Sequence, residues 1–195
     1  SRIAHIIKSK KAYPNQILSV TFTNKAAQEM QNRVSKMLKK EAIGIPWLGT
    51  FHSVSAKLLR KHASAVGLNS NFSIIDQDDQ IRLIKNICKS ENIDIKELSP
   101  NYVLSVINGW KNKGLYPSNV ILKKKKIFEK EILNIYKIYQ VKLLDLNACD
   151  FGDLILHCVN IFEKKSDILE IYSNNFKYIL VDEYQDTNFI QSKWL

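Results

Sequence analysis

Arginine is scarce in this 195-residue chain: Arg2, Arg33, Arg60 and Arg82 are the only ones among 29 lysines and arginines together. Six glycines and four prolines leave little room for flexible linkers. Three cysteines, Cys88, Cys149 and Cys158, show no C-x-x-C spacing, so neither a disulfide framework nor a zinc site is suggested. They are expected to be reduced, buried and apolar in behaviour. No apolar run approaches the roughly 18 residues needed to cross a bilayer, and no signal peptide is visible. The expectation is a cytoplasmic protein with no membrane partner. A G-x-x-x-x-G-K-[ST] phosphate loop is also missing from these residues.

What remains is a folding composition. Hydrophobic residues make up 45% and charged residues 25%, and the length suits one sizeable domain or a domain with an insertion. The net charge is +10 and the pI near 9.4, which suits a polyanionic partner. A lysine-rich composition inherited from an AT-rich genome would give the same excess, and charge alone does not separate the two.

Residues 1–11 read as the tail of a helix, with Ile3, Ile6 and Ile7 on one face and no cap before them. The run ILSVTFT (17–23) has strand length and composition. Asn24 is then expected to cap a long amphipathic helix through Ala27, Met30, Val34 and Leu38. A short strand near Trp47–Thr50 leads into a second amphipathic helix ending at Gly67, and residues 71–76 form a third strand candidate. Strand and helix alternate here, which argues for βαβ units and a parallel sheet. From Asp78 to about Asn147 the pattern turns almost wholly helical, and alternation returns only after Cys149. The expected sheet uses segments near 17–23, 47–50, 72–75 and 177–182. The expected division is an α/β core over 1–77 and 149–195, interrupted by a helical insertion over 78–148.

The segment FKYILVDEYQDTNFIQ (176–191) carries the chemistry. An apolar run, Tyr178 to Val181, ends abruptly at Asp182 and Glu183, which suits a central parallel strand; ligands of open α/β sheets bind at the carboxyl ends of such strands. Two adjacent carboxylates there can divide nucleotide hydrolysis: one holds Mg²⁺, the other orients and deprotonates a water. An apolar strand running into a solvated acidic turn would account for Asp182-Glu183 alone, but not for the full VDEYQDTN string. Similarly, Phe22, Thr23, Asn24 and Lys25 combine an aromatic face with phosphate-reaching donors, which suits a single strand, while an ordinary capped strand-to-helix turn would look the same. His52 read alone is a capping or core-edge histidine. Trp110, Tyr136 and Tyr139 fall at helical spacing and are expected in the core, and Lys123–Lys126 reads as a solvated face or a duplex-DNA contact.

ILVDEYQDTN (179–188) resembles motif II of the superfamily 1 DNA helicases of the UvrD/Rep/PcrA type. SVTFTNKAAQEM (19–30), GTFHS (49–53), FSIIDQDDQ (72–80) and CDFGDLI (149–155) are similar to family segments in the same order, so the resemblance covers essentially the whole chain. It implies a RecA-like P-loop NTPase core with a parallel sheet, interrupted by an inserted all-helical subdomain. It also implies ATP and Mg²⁺ as cofactors, with Asp182 on the metal, Glu183 as the catalytic base, and Gln185 and Asp186 coupling nucleotide state to the rest of the motor. Phe22, Thr23, Asn24 and Lys25 lie where family members touch single-stranded DNA, and Thr50, Phe51 and His52 on the neighbouring contact loop.

The family's phosphate loop precedes the helix whose tail is SRIAHII, so the resemblance implies a piece that begins just after that loop and stops before the second motor domain. The implied parent is an ATP-dependent 3′-to-5′ DNA helicase of repair or replication, acting on single strands and single/double-strand junctions with repair or replication proteins as partners. The isolated piece is expected to be inactive. Two alternatives stay open at this point: a catalytically silent nucleic-acid-binding or interaction module of the same fold, and the helicase subunit of a helicase–nuclease.

Overall fold

The computed structural model describes residues 1–38, 44–122 and 128–195. Its contacts divide the chain into two compact units: residues 1–58 with 160–187 and Leu195, and residues 59–159 with 188–194.

The first unit opens with α1 (Arg2–Lys8), whose Ile3, Ala4 and Ile6 are buried. Five fully buried residues make β1 (Ile17–Thr21), and α2 (Asn24–Leu38) follows at once. After β2 (Leu48–Thr50) comes α3 (Phe51–Lys61), whose last three residues count with the second unit. β1 pairs in parallel with β2 on one side, Thr21 opposite Thr50, and with β5 (Tyr178–Val181) on the other, Val20 opposite Val181. A parallel neighbour cannot be reached by a tight turn, so each pairing requires a crossover, and α2 supplies the one between β1 and β2. Ile6, Ile17, Val34, Leu38 and Leu48 pack into one cluster beneath the sheet. Trp47 meets Tyr172 and Phe176 edge-on, with ring centres 5.8 and 5.5 Å apart, and this anchors α8 (Ser166–Asn175).

The second unit is built on α4 (Gln77–Ser90), α5 (Pro100–Asn112) and α6 (Glu129–Asp145). Ser99 caps α5 through the Tyr102 amide and Pro100 fills its first position, while Asp76 caps α4 through the Asp79 amide. Their apolar faces follow the helical repeat: Ile84, Ile87 and Cys88; Val103, Leu104 and Ile107; Ile132, Ile135, Tyr136, Tyr139 and Leu143. Trp110, Tyr136 and Tyr139 lie in this core as expected, and all three cysteines are free and buried. The start of α7 (Phe151–Lys164) and α9 (Phe189–Trp194) complete this unit. The helix expected from Ile127 begins at Glu129; Lys123–Lys126 and Ile127 lie outside the described residues.

Two expectations about strands need correction. Residues 73–74 do not join the main sheet: β3 (Ser73–Ile74) pairs in parallel with β4 (Ala148–Cys149) as a separate two-stranded ladder in the second unit. Asn147 holds that ladder. It adopts φ 46°, its carbonyl accepts the Ser73 amide, and its side chain links the Asn69 amide (2.8 Å) to the Asn71 carboxamide (3.1 Å). These bonds tie the start of β3 to β4. The second correction concerns which strand is central. It is β1, fully buried with partners on both sides, whereas β5 pairs with β1 alone among the described residues and leaves Ile179 46% exposed.

Candidate nucleotide and nucleic-acid site

Because β2, β1 and β5 run parallel, their carboxyl ends share one edge, and every residue marked from the sequence in these segments lies there. Asp182 follows β5, and its amide donates to the Val20 carbonyl at 3.0 Å, extending the ladder one residue past the strand. Its side chain is exposed and borders a cavity of about 400 Å³ whose wall includes Arg2, Ser19, Glu29, Met30 and Arg33. The lining thus combines two arginines with two acids, Glu29 and Asp182, and such a mixed wall suits a ligand that carries both phosphate and metal charge. Arg2 and Arg33 were not singled out in the sequence. Each sits on a helix far from Asp182 in the chain, and only the fold brings them to one wall.

Glu183 adopts the left-handed conformation, φ 52° and ψ 49°, at the head of the short 3-10 turn Tyr184–Asp186. The Gln185 side-chain amide donates to the Glu183 carboxylate, and the Asp186 amide to the Glu183 carbonyl at 2.9 Å. Asp182, Glu183 and Asp186 are all exposed, so three acids within five residues do not share a buried site.

At the end of β1, Thr23 rather than Asn24 caps α2: its Oγ1 accepts the Ala26 amide at 3.1 Å and its carbonyl the Ala27 amide at 3.0 Å. The β-branched residue suits the extended position before the helix, and Asn24 becomes the first helical residue. No acid occupies the first turn, where Asn24 and Lys25 are exposed, so the positive end of the helix and the Lys25 ammonium add. The half-buried Phe22 ring lies 5.5 Å, centre to centre, from that of Phe51.

Phe51 itself is 1% exposed, so its ring supports Phe22 from below and presents no face to a base. Thr50 is buried and engaged: its Oγ1 accepts the Ser53 amide at 3.1 Å while its own amide donates to Ser53 Oγ at 2.9 Å, a reciprocal cap at the start of α3. Burial holds the half-buried His52 below the ordinary histidine pKa, so it is largely neutral at pH 7. No group of three or more His, Cys, Asp or Glu side chains that could hold a metal gathers among the described residues. No described helix is long and apolar enough to cross a membrane.

Comparison with known proteins finds similarity along the whole chain. DNA helicase II of Rickettsia typhi is 43% identical over 198 residues, which span all of this chain and 30% of that protein. The ATP-dependent DNA helicase PcrA of Staphylococcus epidermidis is 43% identical over 190 residues, 97% of this chain and 26% of that protein. The chain thus spans under a third of the length of the curated relatives it matches. The family model described as the UvrD/REP helicase N-terminal domain matches residues 1–195, and the chain belongs to that family.

Proposed function

We propose that the intact protein is an ATP-dependent helicase that moves 3′ to 5′ along single-stranded DNA and unwinds duplex during repair or replication. The observation that supports this best is the shared carboxyl edge of β2, β1 and β5, with Asp182 and Glu183 at the β5 end, Phe22–Lys25 at the central β1 end and Thr50–His52 at the β2 end. Residues 1–77 and 149–195 are assigned to the ATPase core and 78–148 to an inserted helical subdomain.

The cavity beside Asp182 is the proposed place of the ATP phosphates, with Arg2 and Arg33 offering positive charge. The donor set fits Mg²⁺, which keeps several waters and takes one or two carboxylates together with phosphate oxygens; Asp182 is that carboxylate. When bound, the ion neutralises charge that develops on the phosphates. Glu183 accepts the proton of the attacking water, and the Gln185 amide orients its carboxylate for that task. Gln185 and Asp186 lie on one turn and would pass nucleotide state onward. At the β1 and β2 ends Phe22 stacks on a base, Lys25 and the α2 N-terminus meet phosphate, and Thr23, Asn24, Thr50, Phe51 and His52 shape the track.

Substituting the two acids in the intact protein tests this division of roles. Glu183→Gln should retain Mg·ATP binding and slow DNA-stimulated hydrolysis by roughly 100-fold or more, because the amide is near-isosteric but takes no proton. Asp182→Asn should instead weaken Mg-dependent nucleotide affinity. Equal effects of the two changes on affinity would contradict the assignment. An intact protein that binds DNA but hydrolyses no ATP would leave the silent binding module as the better reading.

A further inference from the structure

In the second unit, α5 carries a lysine into the core. Lys111 is 1% exposed, and its Nζ lies 2.6 Å from Asp150 Oδ2 and 2.7 Å from Asp153 Oδ1. These carboxylates also cap the start of α7 reciprocally: the Asp153 amide donates to Asp150 Oδ1 at 2.9 Å and the Asp150 amide to Asp153 Oδ2 at 3.3 Å. From α6, the Tyr139 hydroxyl donates to Asp150 Oδ2 at 2.8 Å and the Gln140 amide to Asp153 Oδ1 at 3.1 Å. The Tyr136 and Tyr139 rings stand 5.7 and 5.1 Å from the ammonium. Gly152 leaves room for the lysine stem, since a Cβ there would come within 3.0 Å of Lys111 Cδ.

One ammonium therefore serves two carboxylates away from water; Arg60, whose charge reaches the adjacent Cys149, gives its guanidinium hydrogen bonds to the Ser70 and Phe72 carbonyls. His157, buried on the next turn of α7, has Nδ1 2.6 Å from the Tyr116 hydroxyl, and burial holds it below the ordinary histidine pKa, so it is neutral near pH 7. Burial also pushes the Cys149 thiol and the Tyr136 and Tyr139 phenols up, so these stay uncharged. With both carboxylates ionised, the cluster carries one more negative charge than positive.

We propose that Lys111, Asp150 and Asp153 form a proton-sensitive lock that fastens α5 and α6 to the start of α7. Removing one partner of a buried ion pair leaves a charge with neither water nor counterion, and this damages a fold far more than the pair's net contribution would suggest. Here Lys111 is the irreplaceable member. The directions of titration agree: burial and the neighbouring Asp153 push Asp150 above the usual carboxylate range, whereas Lys111 outweighs burial and holds Asp153 below it. A raised carboxylate contributes stability that is lost as pH rises through its folded value, so Asp150 makes the lock firmer in mild acid than at alkaline pH. The depressed Asp153 loses its contribution only below the ordinary aspartate range.

Hydrogen exchange on the intact protein at pH 5.5 and pH 8, corrected for intrinsic rates, reads the lock over residues 100–112, 129–145 and 150–159. Lys111→Met should lose protection by roughly 100-fold at pH 8 and regain most of it at pH 5.5, where the carboxylates take up protons. Asp150→Asn, which removes one of the two carboxylates, should lose no more than about tenfold and flatten the pH dependence. Lys111→Met protection equal to wild type at pH 8, or a loss identical at both pH values, would overturn the proposal. If Lys111→Met does not fold, Asp150→Asn decides alone, and a pH dependence as steep as wild type would refute the lock.

Discussion

Phe22 and Lys25 stand three residues apart, and the structure gives them different physics. The Phe22 ring is half-buried with Phe51 beneath it, while Lys25 is exposed in a first helical turn that holds no acid. Phe22→Ala in the intact protein should weaken single-strand binding by roughly 1–3 kcal/mol with little dependence on sequence. Lys25→Ala should instead reduce the magnitude of the slope of log K against log [salt] by about 0.7, one single-strand phosphate contact. Titrations at several salt concentrations, with melting temperatures measured alongside, separate the two. A Phe22→Ala protein with unchanged melting and unchanged affinity would remove the ring from the track, and an unchanged Lys25→Ala slope would mean that its charge faces only solvent. Asp182 and Glu183 were marked through the full VDEYQDTN string, since an apolar strand ending in two acids would by itself suit a solvated turn. Arg2 and Arg33 were not, because a helical arginine has no local signature and its meaning comes from the wall it joins. The Glu183 backbone was equally hidden. A left-handed conformation costs a non-glycine residue about 1–2 kcal/mol, and only the turn that follows it imposes that geometry.

The helix α2 shows how a boundary can be misread by one residue. Both Thr23 and Asn24 are common caps, and composition favours Asn24, yet the Ala26 amide is accepted by Thr23 Oγ1. Thr23→Ala should therefore cost about 1 kcal/mol of stability, and Asn24→Ala a few tenths or less, since alanine suits an interior helical position. Denaturant melts of both variants check this, and a larger loss for Asn24→Ala would restore it as the cap. Periodic helices with strong apolar faces, such as α4, α5 and α6, were readable within a few residues. The two-residue strands were not. Ser73–Ile74 carries too little pattern to state its partner, and the ladder with Ala148–Cys149 is decided by Asn147, whose left-handed backbone and carboxamide bonds join residues 76 and 78 positions apart. Likewise DFGD reads as a helix start, while the role of its two acids depends on Lys111, which lies 39 residues from Asp150.

For the molecule as a whole, strand-helix alternation followed by a long helical stretch was enough to expect a parallel α/β core with a helical insertion. Which strand is central was not, because a strand's neighbours are set by segments distant in sequence. The net charge of +10 is likewise a property of the whole, and it suits a polyanionic partner and a lysine-rich composition equally. The 195 residues taken alone should hydrolyse no measurable ATP, because Asp182 cannot replace the ring of backbone N–H donors and the lysine of a phosphate loop. Steady-state turnover by the purified 195-residue chain that disappears in Glu183→Gln would refute this. The central strand β1 has one more consequence. Its hydrogen bonds face β2 on one side and β5 on the other, so Thr50 and Asp182 are separated by two strand spacings, about 10 Å. A message between the two flanks would need no long relay of side chains: β1 works as a shared ruler, and a displacement of either neighbour along its axis strains the same short row of peptide groups.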